Sequence, residues 1–150
     1  MKFEKYFPAE RLKHYIKYIA VSENELANEY KVLPAPGLVM GFQYKGQLAT
    51  IKNNKESKLT SAGITGIADS SKIFKNPDDI RTVLVYFTET GFTHFSSHPA
   101  NELFNLSLSL DNIFDKNSVT EAAEKLAIAA TDKNRIKIVE QFLVSQLKDI

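Results

Sequence analysis

The stretch RTVLVYFTETGFTHFSSHPANELFNLSLSLDNIF, residues 81–114, sets the terms for the rest of the chain. Thr82 to Thr88 is β-branched and aromatic, with Val83, Val85 and Phe87 on one face and Leu84 and Tyr86 on the other. Neither face is built to meet water, which predicts a central strand. Gly91 follows, a position free of a Cβ, and His98-Pro99-Ala100-Asn101-Glu102-Leu103 has proline where a helix would begin. A buried strand therefore hands the chain to short helical pieces that can pack over a sheet.

Working outward, the segments before this strand carry the marks of antiparallel β-structure. From Leu38 to Tyr44 the alternate residues Leu38, Met40, Phe42 and Tyr44 are apolar, the period of a half-buried strand. Lys45-Gly46 reads as a two-residue turn, which would pair Met40 with Ile51 and Phe42 with Ala49. Tyr30-Lys31-Val32-Leu33 is a strand stopped by Pro34 and Pro36, because proline cannot donate to a ladder. Leu59 to Ile67 is a strand with Gly63 and Gly66 as bulge or bend positions; Lys72-Ile73-Phe74 is a short one before the Asn76-Pro77-Asp78-Asp79 turn. Lys52 to Glu56 is a solvated loop tip. Short strands at this spacing describe an antiparallel sandwich or barrel rather than alternating βαβ units.

Both ends read as helical. Pro8 sits just inside a short N-terminal helix in which Leu12, Tyr15, Ile16 and Ile19 follow i, i+3, i+4, i+7 spacing, running into a strand at Lys17–Ser22. At the other end Ser118-Val119-Thr120-Glu121 has the form of a capping box, and Val119, Ala122, Leu126 and Ala129 continue an apolar stripe. Thr131 or Asp132 caps a last helix whose Ile136, Val139, Phe142 or Leu143, and Leu147 recur on one face. These two helices form an antiparallel hairpin. The fold class is α+β: a cupin-like antiparallel β-barrel or sandwich with a short N-terminal helix and a C-terminal helical hairpin.

Composition narrows the functional classes. At 150 residues the chain reads as one domain, barrel over 1–90 and helical part over 91–150, long enough to bury roughly 68–70% of its unfolded surface. Hydrophobic residues are 43% and charged residues 25%, with 19 basic against 18 acidic side chains. No broad positive field argues for nucleic acid or an anionic membrane. The absence of cysteine excludes a disulfide scaffold, a thiolate nucleophile and Cys-based metal sites. No apolar run approaches the ~20 residues of a membrane span, and the N-terminus lacks a signal-peptide core, so the expected compartment is the cytoplasm.

Catalytic patterns find no purchase. His94 and His98 lie at i, i+4, but the glutamate of the zincin pattern is Phe95 here, and proline after His98 disfavours helix at that residue. His14 reads as a surface or interfacial side chain. No His-x-His, no G-x-S-x-G and no phosphate loop occurs, and Asp78-Asp79 reads as a turn. The expectation is no catalytic residue, no metal and no cofactor. Ten Phe and six Tyr instead put much of the core volume in rings. A barrel interior of this kind is either filled by its own side chains or open to a small apolar or amphipathic molecule. In the second case Met40, Phe42, Tyr44, Tyr86 and Phe87 would line it, with the tyrosine hydroxyls as polar handles.

The run from Val83 to Phe114 resembles the end of the effector-sensing N-terminal domain of AraC-type bacterial transcription regulators. The matching pieces are Phe87 closing a hydrophobic strand, Gly91 in the turn, Ala100 to Leu103, and Leu110 to Phe114; the usual Pro-Gly of the turn is Thr90-Gly91 here. Pro8, Leu12, Ile16 and Tyr18 match the start of such domains, with Ile19 in place of a tryptophan. VLPAPGLVMGF is similar to their Leu-Pro-Asp-Gly element, with Ala35-Pro36 where an acid is usual. The resemblance implies a sensing and dimerisation domain that binds a small-molecule effector. It implies a homodimer through the last helices, at Ile136, Val139, Leu143 and Leu147, and allosteric control of DNA-binding helix-turn-helix units. Those units would have to follow Ile150, so this chain is not itself expected to bind DNA specifically. The alternatives are a non-catalytic protein-interaction module without ligand and, further off, a metal-dependent cupin enzyme.

Overall fold

A computed structural model describes residues 2–25, 28–32, 37–47, 49–58, 61–65, 72–76, 79–96, 100–103 and 107–148. Ten strands appear among them: β1 (Lys2–Tyr6), β2 (Ile16–Asn24), β3 (Asn28–Val32), β4 (Val39–Lys45), β5 (Ala49–Lys52), β6 (Lys55–Lys58), β7 (Ala62–Thr65), β8 (Lys72–Asn76), β9 (Ile80–Phe87) and β10 (Ser107–Ser109). Short 3-10 turns cover Gly91–His94, Ala100–Leu103 and Leu110–Asn112, and two helices follow, α1 (Lys116–Ile128) and α2 (Asp132–Gln146).

The strands form a six-stranded sheet, β1-β2-β9-β4-β7-β10, and a four-stranded sheet, β3-β8-β5-β6. The two orders are related. β2 continues as β3, β9 is preceded by β8, β4 continues as β5 and β7 is preceded by β6, so the middle four strands of the large sheet run on as the small one in the same order. The β2–β9 ladder ends at Asn24↔Ile80 and the β3–β8 ladder resumes at Asn28↔Asn76. Strands that switch sheets at shared corners are how an antiparallel sandwich closes its ends. Two corner residues take positive φ, Gly46 at 79° and Asp79 at 52°.

β9 is the central strand that its sequence predicts, flanked by β2 and β4. Val83 and Val85 are 0% exposed and Phe87 1%, while Leu84 and Tyr86 are half-buried on the opposite face. The buried face packs on the hairpin: Ile19, Val21, Met40, Phe42 and Ile64 join it in one apolar cluster with Val119, Leu126, Val139, Phe142 and Leu143.

Three sequence expectations are corrected. The Lys45-Gly46 hairpin does not form: Met40 lies opposite Val85 and Ile64, and Phe42 opposite Val83 and Ala62, because β9 and β7 occupy both edges of β4. Gly46 instead turns the chain into the other sheet, where Ile51 pairs with Ile73 and Glu56. The N-terminal helix is also replaced, by β1 and a single turn closed by Ile16 N–H donating to the Leu12 carbonyl (3.0 Å). Leu12, Ile16 and Ile19 are nonetheless all buried, Leu12 from the turn and Ile16 with Ile19 because the β2–β9 register shifts between Ile16 and Tyr18. A bulge there puts residues three apart on one face and imitates helical spacing. Finally, α1 starts before the Ser118 capping box. Asp115 is its N-cap, accepting from the Ser118 amide at 3.0 Å.

Other expectations hold. Thr131 caps α2, its hydroxyl accepting from the Asn134 amide at 3.2 Å, and residues 129–131 are the whole connection between the helices. The polar tip read at Lys52 to Glu56 narrows to Asn53 and Asn54, both at positive φ, because Lys52 ends β5 and Lys55 begins β6. A fourth expectation is corrected: Gly63 lies in unbroken register opposite Gly41 and is not a bulge. The readings at Leu33–Pro36, Gly66, Pro77-Asp78 and His98-Pro99 fall outside the described residues.

Candidate functional site

The face of the large sheet turned away from the helices is the candidate surface. Antiparallel pairing sets its members side by side: Tyr18, Tyr86, Val39 and Thr65 form one row across β2, β9, β4 and β7, with Ala20, Leu84, Gly41 and Gly63 in the next and Ser22, Thr82 and Gln43 in a third. Tyr18, Val39, Gln43, Thr65, Leu84 and Tyr86 are half-buried. The tyrosine rings lie with centroids 4.4 Å apart at 31°, and the Lys5 ammonium sits 4.6 Å from the centre of Tyr18. Apolar, hydroxyl and amide groups therefore converge on a surface with an aromatic pair at one end. That lining offers stacking and hydrogen bonding together.

The five residues predicted to line a cavity do not share a face. Met40, Phe42 and Phe87 are 0%, 1% and 1% exposed and belong to the packed core under the helices. Tyr44 lies on that same side, at its edge, and Tyr86 alone faces the candidate surface. The alternation of β9 had already separated Tyr86 from Phe87. Tyr18 and Lys5 were missed because only strand pairing brings them beside Tyr86.

The predicted dimer stripe is also used within the chain. Ile136, Val139 and Leu143 are buried against the sheet at 8%, 0% and 0% exposure, and Leu147 is half-buried. Ile136, Val139 and Leu143 present no open surface to a second copy, and Leu147 presents part of its own. An amphipathic stripe has the same period whether its partner is its own sheet or another subunit. His14 is exposed, and the His94 ring stacks on Tyr15 with centroids 4.5 Å apart.

A second group of polar side chains joins the sheet to the hairpin. The Tyr44 hydroxyl donates to Glu23 at 3.2 Å, and the Arg135 guanidinium lies 4.5 Å from the centre of its ring. Burial, with Glu23 beside it, pushes the Tyr44 hydroxyl well above its ordinary range despite the cation. Arg135 donates to Asp132 at 2.7 Å and to the Ala129 carbonyl at 2.9 Å; Lys2 pairs with Asp132. Burial alone would raise the Asp132 carboxyl, but hydrogen bonds from Lys2 and Arg135, and their charges, hold it below the ordinary carboxylate range. A depressed folded-state pKa stabilises above the unfolded value, and the benefit is lost as pH falls through the folded one. Asp132→Asn should therefore be less stable than the parent at neutral pH. The gap should begin to narrow as pH falls below about 3.8 and close only below the depressed folded-state value, as read from urea midpoints.

Two sheets sharing four crossing strands, with helices sealed onto one face, define a cupin-like α+β domain. The chain belongs to the family described as Domain of unknown function (DUF6597), whose pattern it matches over residues 4–109. Among solved structures it is similar to ToxT from Vibrio cholerae, an AraC-type regulator. In the K231A form the TM-score is 0.52 at 10% identity, over 85% of this chain and 53% of that one. The likeness in fold agrees with the AraC-type resemblance of the sequence. The EutQ protein of Clostridium difficile aligns at a TM-score of 0.39 and 18% identity, over 58% of this chain and 67% of that one. By sequence the chain is 27% identical over 135 residues to a UDP-N-acetylmuramate–L-alanine ligase of Clostridium acetobutylicum, covering 89% of this chain and 26% of the ligase. It thus spans about a quarter of that relative and about half of ToxT.

Proposed function

We propose that this domain is a non-catalytic regulatory sensor of the AraC type, which binds a small-molecule effector on the sheet face carrying Tyr18, Tyr86, Leu84 and Gln43. The observation that carries the reading is the inequality of the two faces. One is sealed by the helical hairpin; on the other Ala20 and Thr82 are buried, while the side chains around them are half-exposed and include groups that can both stack and hydrogen-bond. The fold shared with ToxT supports a regulatory role, and control of DNA would pass through helix-turn-helix units outside residues 1–150. A ligand that prefers one curvature of the sheets shifts the population of that curvature, and whatever is joined to the hairpin follows. The domain works as a homodimer in the cytoplasm, assembled through surfaces other than the buried stripe of α2. Among the described residues no helix is long and apolar enough to cross a membrane.

Native mass spectrometry before and after denaturation, followed by a thermal-shift screen of small polar and aromatic molecules, tests this reading. A true effector at a hundredfold excess over its Kd adds about 2.7 kcal/mol, a shift of about 5–10 °C for a chain of this length. Tyr18→Ala should abolish that shift, whereas Ile128→Ala, an exposed position on α1, should leave it intact. A chain that releases no bound molecule and responds to none in the screen would count against the sensor.

A further inference from the structure

The corners where strands cross between the sheets and the elbow between the two helices meet in one polar seam. Glu23 stands next to the end of β2, just before its corner, and accepts from Tyr44, whose ring carries Arg135. Arg135 reaches both the first residue of α2 and the carbonyl of Ala129, just beyond α1. Lys2 closes a circuit, paired with Asp132 and 3.9 Å from Glu23. On the other side Arg81 lies 4.0 Å from Glu23 and 3.0 Å from Asp79, which also pairs with Lys45. The Asp79 amide donates to the Glu25 carbonyl at 3.2 Å, so three corners are tied at residues 25, 45 and 79.

We propose that this seam is a transmission joint, relaying a change of bend between the two sheets through Asp79, Arg81, Glu23, Tyr44 and Arg135 to the helical elbow at Ala129–Asp132. Most of the hairpin is held by apolar packing, which is non-directional; further along α2 the Ala9 amide donates to Glu140 at 2.7 Å, and just beyond it the Lys148 amide donates to the His94 carbonyl at 2.8 Å. The seam is the directional link at the elbow, and each inner member is shared between two partners, so displacing one removes an interaction from the next. Asp79 holds a left-handed backbone, φ 52°, that a non-glycine residue adopts at a cost, so the corner is a strained element kept in place by its ion pairs. At the other end Arg135 Nε is buried without an acceptor among the described residues, so a shifted elbow has a hydrogen bond to gain. The regulatory meaning of the joint rests on the proposed sensing role. The coupling does not, and it is measured without ligand, so the two can fail separately.

Hydrogen exchange on the full chain reads it. Asp79→Asn should speed exchange of peptides covering residues 128–136 about threefold or more, although Asp79 reaches them only through the seam. Coupling is reciprocal, so Arg135→Met should do the same to residues 45–47 and 79–81. In a Glu23→Gln background, adding Asp79→Asn should change the elbow no further. Glu56→Gln breaks a comparable exposed pair with Lys75, away from the seam, and should leave the elbow as it was. An elbow that exchanges at the parent rate in Asp79→Asn, or that loosens equally in Glu56→Gln, would overturn the joint.

Discussion

Gly91→Ala is expected to destabilise the chain by about 3 kcal/mol or more, lowering the melting temperature by roughly 10 °C. A Cβ at Gly91 would stand 2.0 Å from the Tyr15 carbonyl oxygen, 2.8 Å from the Tyr15 carbonyl carbon and 2.8 Å from Thr88 Oγ1. The obstacle is backbone. That carbonyl cannot withdraw freely, because it accepts from the Thr88 amide at 2.9 Å and the Thr88 hydroxyl at 3.2 Å. These bonds tie the turn before β2 to the end of β9, so the strain would fall on the central strand pair. Gly46→Ala makes the comparison: its φ of 79° carries the ordinary left-handed penalty, about 1–2 kcal/mol. Denaturant midpoints that placed Gly91→Ala at or above Gly46→Ala would show that the Tyr15 contact is not as close as described.

Phe142→Ala should cost about 3–5 kcal/mol, a large part of the 5–15 kcal/mol by which domains of this kind are stable. The ring is 5% exposed and meets Phe42 and Phe114 edge-on, at centroid distances of 5.4 and 5.5 Å. It is the wedge between α2, β4 and the segment leading into α1, and its removal leaves a cavity that three separate elements would have to collapse to fill. Phe142→Leu keeps most of the apolar volume and should cost less than about 1.5 kcal/mol if the core repacks. Urea unfolding with an unchanged slope and a fall in midpoint for the alanine variant is the expected result. Equal midpoints for alanine and leucine would mean that the apolar volume leucine retains contributes nothing, and would overturn the cavity as the cause.

How much of this was legible depended on the range of the signal. β9 could be read because both of its faces are apolar and its composition is β-branched, properties carried by seven consecutive residues. Its sidedness was legible too, and it alone would have kept Tyr86 apart from Phe87. The helices were local too, and Thr131 was read as the cap of α2; the cap of α1 was misplaced by three residues, at Ser118 rather than Asp115, because both carry a side-chain oxygen able to cap. The pairing of β4 was not local. Lys45-Gly46 is a competent turn, but the Cα partners of Phe42 are Val83 and Ala62, and nothing between residues 38 and 51 announces them. At the N-terminus the bulge between Ile16 and Tyr18 gave the residues of a strand the spacing of a helix, so the burial was foreseen correctly and the element was not.

By itself the sequence determined the α+β class, the central strand, the helical hairpin and which residues go inside, because periodicity and capping are written in neighbouring side chains. It marked Gly91 as a turn position, but the Tyr15 carbonyl that leaves no place for a Cβ there is a tertiary contact. Only the tertiary structure decided what each buried face meets. The stripe of Ile136, Val139 and Leu143 is apolar whether it covers a sheet or a second subunit, and here it covers the sheet. The candidate surface of Tyr18 beside Tyr86, and the seam from Asp79 to Arg135, exist because strands distant in sequence lie about one ladder spacing apart. That proximity is a consequence of chain closure, which no local pattern encodes.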